Sequence, residues 1–347
     1  MGVRWKNLGP YERDVGTTET VKAKSMYRMR QGDFVFNRID TDKGAFGVVD
    51  SKMSGAVASN EFPAYVCDQS QLLSEYLWLH FQQETVLGAL RAAGSEGRAR
   101  WKEADFERHT ILLPSLAEQR RIVDLIGALD ETIEAASIAQ EESDRAFRES
   151  RAQLCQPRQG SRSLPEVSEN LDNSRIPISK TVRSTRPGQI PYYGASGRTG
   201  WINEALFDEP LVCLGEDGAG LLHWKTRPIA YRIDGASWVN NHAHVLRATS
   251  VSTDWLALTL MHYDISLLVN KGTRPKLNKG MLDQIRVRVD DRVPQDEELL
   301  LAQKDVAGEC AAVESALRIL RTNLLTALLS GEHEIPSSYD EHLGVVA

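Results

Sequence analysis

The chain has 347 residues, 41% of them apolar and 26% charged, with 4 cysteines and a net charge of −7. It is too long for one ordinary core and suits two domains plus helices; no apolar run reaches the roughly 18 residues that span a bilayer, and Met1 to Lys6 lack a secretory leader's apolar stretch, so a cytoplasmic protein with no membrane association is expected. The acid is unevenly spread: residues 1–114 are net 0, 115–155 net −4, 156–293 net +4 and 294–347 net −7, so two neutral-to-basic stretches alternate with acidic ones and a polyanion partner is not excluded.

In chain order, the first signal is Gly32-Asp33-Phe34-Val35-Phe36-Asn37, a short buried strand bounded by turn residues, with a turn at Gly44. Arg38 and Lys43 follow it. Ser74 to Leu90 reads as a helix with an apolar face. Arg98, Arg100 and Lys102 surround Trp101, and Gly94 and Gly97 give that backbone room to approach a groove or a phosphate. After Leu113-Pro114 a heptad pattern begins. Its seam is Ile122, Ile126, Leu129, Ile133, Ala136, Gln140, Ser143, Phe147, Ser150 and Leu154, in alternating steps of four and three. Such a narrow apolar stripe needs another helix against it, and its polar members fix register.

Pro157 to Asn173 is polar and broken, and reads as a linker. Tyr192-Tyr193-Gly194 and Gly197-Arg198-Thr199-Gly200 suggest a surface loop, and Leu211 to Leu214 a buried strand before the Gly-rich turn at 215–220. His242-Ala243-His244 puts two imidazoles on one strand face. No third ligand is evident, so structural histidines are expected rather than a metal pair. Thr253 to Val269 reads as a helix. Lys271, Arg274, Lys276 and Lys279, with Asn270 and Asn278, form a second basic loop. Lysine and arginine bind phosphates and guanine edges, and asparagine can pair with adenine. After Pro294 a second heptad seam runs Val306, Cys310, Val313, Leu317, Leu320, Leu324 and Ala327. Ser330-Gly331 stops it, and a polar, frayed tail is expected from Glu332. Cys67, Cys155, Cys213 and Cys310 contain no C-x-x-C pair, so reduced, structural thiols are expected.

The two non-heptad stretches read as diverged copies. Gly55 to Glu61 aligns with Gly235 to Asn241, Tyr76-Leu77-Trp78-Leu79 with Trp255-Leu256-Ala257-Leu258, Arg98 to Trp101 with Arg274 to Leu277, and Ile111-Leu112-Leu113 with Val287-Arg288-Val289. A shared order at a near-constant offset implies a tandem duplication of module and helix.

The run Leu113-Pro114-Ser115-Leu116-Ala117-Glu118-Gln119-Arg120-Arg121-Ile122-Val123 resembles the junction of specificity subunits of type I restriction–modification enzymes, where a strand end with an Ala-Glu-Gln step leads into a long spacer helix. Leu324 to Glu332 looks like the close of that family's second spacer helix, and the order of modules matches nearly the whole chain. The second junction, Pro294-Gln295-Asp296-Glu297-Glu298-Leu299, departs from the pattern, and the first module is shorter than the second, like a recognition domain lacking an N-terminal portion. The resemblance implies an α+β chain: two mixed α/β target-recognition domains, at 1–114 and 156–293, separated by two long antiparallel coiled-coil helices, at 115–155 and 294–331, with a flexible tail at 332–347. It implies a non-catalytic subunit without a cofactor that binds a bipartite double-stranded DNA target. Methyltransferase (modification) subunits and a restriction motor-nuclease subunit would dock on it.

On that reading Arg38, Lys43, Arg98, Arg100, Lys102, Tyr192, Tyr193, Arg198, Lys271, Arg274, Lys276, Asn278 and Lys279 are the candidate DNA contacts. The Tyr pair earns its place because such an Ile-Pro-Tyr-Tyr segment lies early in the family's recognition domain. A helix of about 38 residues is about 57 Å long, enough to serve half-sites about 34 Å apart. The sequence lacks a Walker motif, a Gly-x-Ser-x-Gly elbow and an Asn-Pro-Pro-Tyr-type methyltransferase motif, which suits a subunit that borrows its catalysis. The alternative is a protein-interaction scaffold with a coiled-coil spacer and no DNA specificity.

Overall fold

The computed structural model describes residues 1–14, 26–93, 100–269 and 275–342. The chain divides into two compact units, unit 1 comprising Met1–Ile138 with Ala311–Ala347 and unit 2 comprising Ala139–Cys310. Each long helix therefore contributes one part to each unit.

Unit 1 contains strands β1 (Gly2–Val3), β2 (Pro10–Tyr11), β3 (Tyr27–Arg28), β4 (Phe34–Phe36), β5 (Phe46–Val48), β6 (Val57–Ala58) and β7 (Ala64–Tyr65), then helices α1 (Ser74–His80), α2 (Glu84–Ala93), α3 (Glu103–Glu107) and the start of α4 (Leu116–Leu154). β4 is the middle strand of the three-stranded antiparallel sheet β5-β4-β7. Its three residues alternate faces, as a period of two requires. Phe34 and Phe36 enter an aromatic core with Phe46, Phe81, Trp101 and Phe106, while Val35 joins Met29, Ala45 and Val49 on the other side. Phe46 and Phe81 stack at 4.5 Å, and burying each such ring stabilises the fold by about 2–3 kcal/mol. The helix expected from Ser74 to Leu90 is broken: Phe81 closes α1 and turns into this core, and α2 restarts at Glu84.

The start of α4 is fastened by its own Glu-Gln-Arg sequence. Gln119 is fully buried and satisfied: its Oε1 accepts from Leu73 N (2.9 Å), and its Nε2 donates to the Gln71 (2.8 Å) and Pro114 (2.9 Å) carbonyls. Ile122 and Ile126 pack on Tyr76, Leu325, Leu328 and Leu329, the last three from the end of the second long helix. The expected frayed tail is instead docked through residue 341. Ile335 is buried, its N–H donates to Glu118 (2.9 Å), and Arg121 forks onto Asp340 with both bonds at 2.7 Å. Tyr339 also donates to Asp124 (2.7 Å). The sequence alone concealed this because the partners lie more than 200 positions away.

Unit 2 opens where a linker was expected, with β8 (Arg162–Ser163), α5 (Leu164–Val167) and β9 (Ser168–Asn170). These are core elements. Ser163 and Glu166 form a capping box, Leu164 and Val167 are buried, and β9 is an edge strand. Then come α6 (Lys180–Ser184), β10 (Ile190–Gly194), β11 (Gly197–Ile202), β12 (Phe207–Asp208), β13 (Leu211–Gly215), β14 (Ala230–Ile233), β15 (Ala236–Val239) and β16 (Ala243–Ala248). The unit closes with α7 (Thr253–Leu260), α8 (Lys279–Leu282), β17 (Arg286–Val287) and the first part of α9 (Val293–Leu329). Its two four-stranded sheets have the orders β11-β10-β15-β12 and β14-β13-β16-β9. α7 covers the second sheet with Trp255, Leu256 and Leu258. It ends at Leu260, short of the expected Val269, although Ile265 and Val269 remain buried.

The internal likeness has a backbone counterpart. Gly55 and Gly235 both adopt positive φ (89° and 67°), and each turns the chain into a strand, β6 or β15. α1 and α7 follow in equivalent order. At the second junction buried Arg288 takes over the fastening: it pairs with Asp290 and Asp296 (2.5 Å each) and donates to the Leu154 carbonyl (2.7 Å). Asp296 thus stands where the first junction has Gln119.

On α4, Ile122, Ile126 and Ile133 are buried and Leu129 half-buried. On α9 the register differs from expectation. Cys310, Leu317 and Leu324 face inward, but Val313 and Leu320 are 54% and 52% exposed. The inward positions that alternate with them are Ala307 before Cys310, then Glu314 and Arg321. Two heptad phases share the same core residues here, and the structure uses the more polar one, because Arg321 reaches Asp130 (2.8 Å) and Gln82 (2.6 Å) within unit 1. The four cysteines are free, with Cys310 at 3.7 Å from Ser143 Oγ. No helix among the described residues is long and apolar enough to cross a membrane.

Candidate nucleic-acid interface

In unit 1 the backbone of Arg100 bridges to Ile39, and Trp101 N donates to the Arg38 carbonyl (2.9 Å). That pairing brings Arg38 and Arg100, 62 positions apart in sequence, to one edge. Trp101 is the anchor rather than a contact: its ring packs at 5.5 Å from Phe36 and 5.6 Å from Phe81. Each cation has an internal carboxylate. Arg38 pairs with Glu103, Arg100 with Glu61 (3.0 Å) and Lys43 with Asp40 (3.1 Å), Lys43 also lying over the Trp5 ring at 4.3 Å. Lys102 is exposed at the start of α3. Arg98, with Gly94 and Gly97, lies outside the described residues. The Arg100–Glu61 pair, the most exposed of the three, is worth about 0–1 kcal/mol, so a phosphate can replace that carboxylate at small cost, whereas Arg38 is largely enclosed. Beside this edge, Tyr27, Arg28, Arg30, Arg38, Tyr65 and Glu103 line a cleft of about 460 Å³.

In unit 2, Lys271 and Arg274, with Asn270, also lie outside the described residues. The segment that follows them is firmly held. Leu277 N donates to the Glu216 carbonyl (2.8 Å), Gly218 N donates to Pro275 (3.1 Å), and Lys276 pairs with Glu216 (3.1 Å). Beneath it, His244 Nε2 donates to the Leu277 carbonyl (2.7 Å), while Nδ1 faces Asp172 (2.6 Å). Arg175 joins the network through Glu216 (2.8 Å). Burial alone raises the Asp172 carboxyl; the bond and charge of His244, with the Val245 N–H, outweigh it and hold the group below the usual range. Glu216 is likewise raised by burial and brought lower by Arg175 and Lys276. The Asp172, Glu216 and His244 ligand atoms lie within 4.8 Å of one another, but Arg175 and Lys276 already balance the two carboxylates. His242 turns to Asp217 instead (3.1 Å), so the two histidines serve separate structural bonds.

Asn278 Oδ1 accepts from Met281 N (3.0 Å) and caps α8, so bidentate pairing with adenine would compete with the cap. Lys279 is exposed. Tyr192 is corrected: at 2% exposure it packs with Ile202 and Trp238 and presents no ring to a duplex. A strand alternates faces, so Tyr193 points the other way, half-buried at 5.8 Å from Tyr231. Arg198 is exposed on β11, with its guanidinium over the Trp201 ring at 4.5 Å. The sequence reading missed Arg183 and Arg186, whose guanidinium groups lie over Tyr192 and Trp238 of the same sheet, and exposed Lys180 on the helix that carries Arg183; basic spacing within 180–186 was the available signal.

No family model matches the chain. A stretch of 129 residues, 36% of this chain, is 31% identical to a putative type I restriction enzyme specificity subunit of Haemophilus influenzae. The match covers about a third of that relative, 32% of its length. The fold is similar to the S subunit of a type I restriction–modification system from M. genitalium, with a TM-score of 0.60 at 14% identity, covering 94% of this chain and 95% of that one. It is also similar to a chain from a structure describing complex assembly and conformational transition of the type I R-M system, with a TM-score of 0.56 at 19% identity, covering 91% and 85%.

Proposed function

We propose that the chain is the non-catalytic DNA-recognition subunit of a type I restriction–modification complex. Units 1 and 2 each read one half of a split duplex target, and α4 and α9 form the spacer on which modification subunits, and a restriction motor-nuclease subunit, dock. The target-recognition domains are taken as 1–114 and 156–293, with the spacer helices between and after them. Methyl transfer and cleavage belong to the partners, and a protein acting on chromosomal DNA works in the cytoplasm. The observation that carries the reading is the S-subunit fold, which extends over nearly the whole of both matched chains. The paired cations Lys43, Arg100 and Lys276 suit exchange of carboxylate for phosphate, and Arg98, Lys271 and Arg274 flank them in sequence.

Affinity in such a subunit comes mainly from cations displacing counterions, and specificity from base-edge contacts. Footprinting of the complex with its modification subunit on duplex DNA tests the proposal. Two protected patches separated by an accessible gap are expected. Absence of protection by a complex that assembles normally contradicts it and favours a scaffold.

A further inference from the structure

From Asn173 through Asn203 the sequence contains Arg175, Lys180, Arg183, Arg186 and Arg198 and not one carboxylate. Most arginines elsewhere in unit 2 that are fixed in place are fixed by acids: Arg175 by Glu216, Arg232 by Asp234, Arg247 by Glu209 and Arg288 by Asp290 and Asp296. The cations of the 180–198 region are held differently. Arg183 lies over the Tyr192 ring at 4.4 Å and reaches Thr199 Oγ1 (3.4 Å), and Arg198 lies over Trp201 at 4.5 Å. Neither has a carboxylate partner among the described residues, nor has exposed Lys180. Arg186 lies over Trp238 at 5.0 Å but shares Glu204.

The supporting surface is rigid. Tyr192 pairs with Gly200 on one side and Trp238 on the other, so the Tyr192 and Trp238 rings share one face of β10 and β15, while Arg198, paired with Tyr193, and Trp201, paired with Pro191, belong to the other face of edge strand β11. Trp238 Nε1 donates to the Ile176 carbonyl (3.1 Å), and Gly188 passes so close to β11 that a Cβ there would lie 2.3 Å from the Asn203 Cα. A guanidinium laid on a ring keeps its N–H fork free, and its orientation is fixed before any ligand arrives. The exposed ring under Arg198, Trp201, is itself 49% accessible. Charge without internal neutralisation, on a rigid sheet, fits a polyanion better than a lone anion or a protein acid.

We infer that Lys180 and Arg183, one turn apart on α6 against one face of edge strand β11, and Arg198 on its other face form a phosphate-gripping edge of unit 2 that holds the backbone of duplex DNA. The inference rests on the DNA-recognition reading and adds to it the residues that supply sequence-independent affinity. A positioning edge of this kind needs no contact with bases.

The test uses the full chain and a mixed-sequence DNA duplex, with affinity read by fluorescence anisotropy across a salt series. Each phosphate contact contributes about 0.9 to the slope of log K against log salt. The Lys180→Ala/Arg183→Ala/Arg198→Ala variant is expected to show a slope smaller by about 2.7, and the corresponding substitutions of both arginines to lysine are expected to retain the slope. An unchanged slope in the folded alanine variant overturns the inference while leaving DNA recognition standing. Loss of slope in the lysine variant also overturns it, since that result assigns the arginines to sheet packing. If the triple variant does not fold, Lys180→Ala/Arg198→Ala, which removes two exposed side chains, decides: a slope smaller by about 1.8 supports the edge and an unchanged slope refutes it. A wild-type chain that binds no duplex at low salt removes both the inference and the reading beneath it.

Discussion

Replacing Gln119 with leucine keeps a side chain of similar volume and deletes three hydrogen bonds at the point where α4 leaves unit 1. The Leu73 N–H, at the entry to α1, loses the acceptor it meets at 2.9 Å. An orphaned buried donor costs about 1–3 kcal/mol. The Gln71 and Pro114 carbonyls lose donors too, but Gln71 is exposed and water can reach it, so these two add about 1 kcal/mol together. The apolar side chain returns about 1 kcal/mol through burial. The net loss is about 1–3 kcal/mol, and for a unit of this size each kcal/mol lowers Tm by about 2–4 °C. Scanning calorimetry of the intact chain should therefore show a fall of about 2–12 °C for Gln119→Leu. The neighbouring Arg120→Leu, which alters an exposed position, should move it little. A Gln119→Leu melt within about 1 °C of wild type would refute the claim that this amide clamps the helix to α1.

Ile126→Glu puts a charge into a fully buried site and should prevent unit 1 from folding, whereas Val313→Glu should leave the circular dichroism melt almost unchanged; equal effects would contradict the observed register of α9. His80 and His109 contact through their Nε2 atoms at 2.8 Å. Burial, and for His80 the neighbouring His109, pushes both below the ordinary value of 6.5, His80 down to about 4. The folded state prefers both rings neutral, so their contribution is complete above about pH 6.5 and is lost as pH falls towards 4. Tm measured across that window should fall more steeply for wild type than for His80→Gln/His109→Gln, and parallel curves would refute it. Asp340→Ala removes the fork on Arg121 and should expose residues 333–342 to limited proteolysis; unchanged cleavage would show that the fork does not hold the segment.

The fold was legible where a strong period met a strong stop. α4 begins at Leu116, within a residue of the expected junction, because Pro114 and Ser115 mark it and the Ile122, Ile126 and Ile133 positions leave one phase open. α9 allowed two phases, since Glu314 and Arg321 look wrong for a seam until Asp130 and Gln82 are seen beside Arg321. The 157–173 stretch looked like a linker because its helix is a single capped turn, too short to show a period. Of the candidate contacts, the basic loops were legible as charge. Their internal acids were not, because Glu61, Glu103 and Glu216 come from separate parts of the chain. Tyr192 and Tyr193 were ambiguous as neighbours on a strand, since only the position of the covering segment decides which face is buried.

The most direct measurement is a genome-wide map of methylated bases in cells expressing the chain with its modification subunit, compared with cells lacking the chain. A single split sequence with a fixed gap, methylated only when the chain is present, is predicted. Methylation that is absent, or that persists unchanged without the chain, would contradict its role as the subunit that chooses the site.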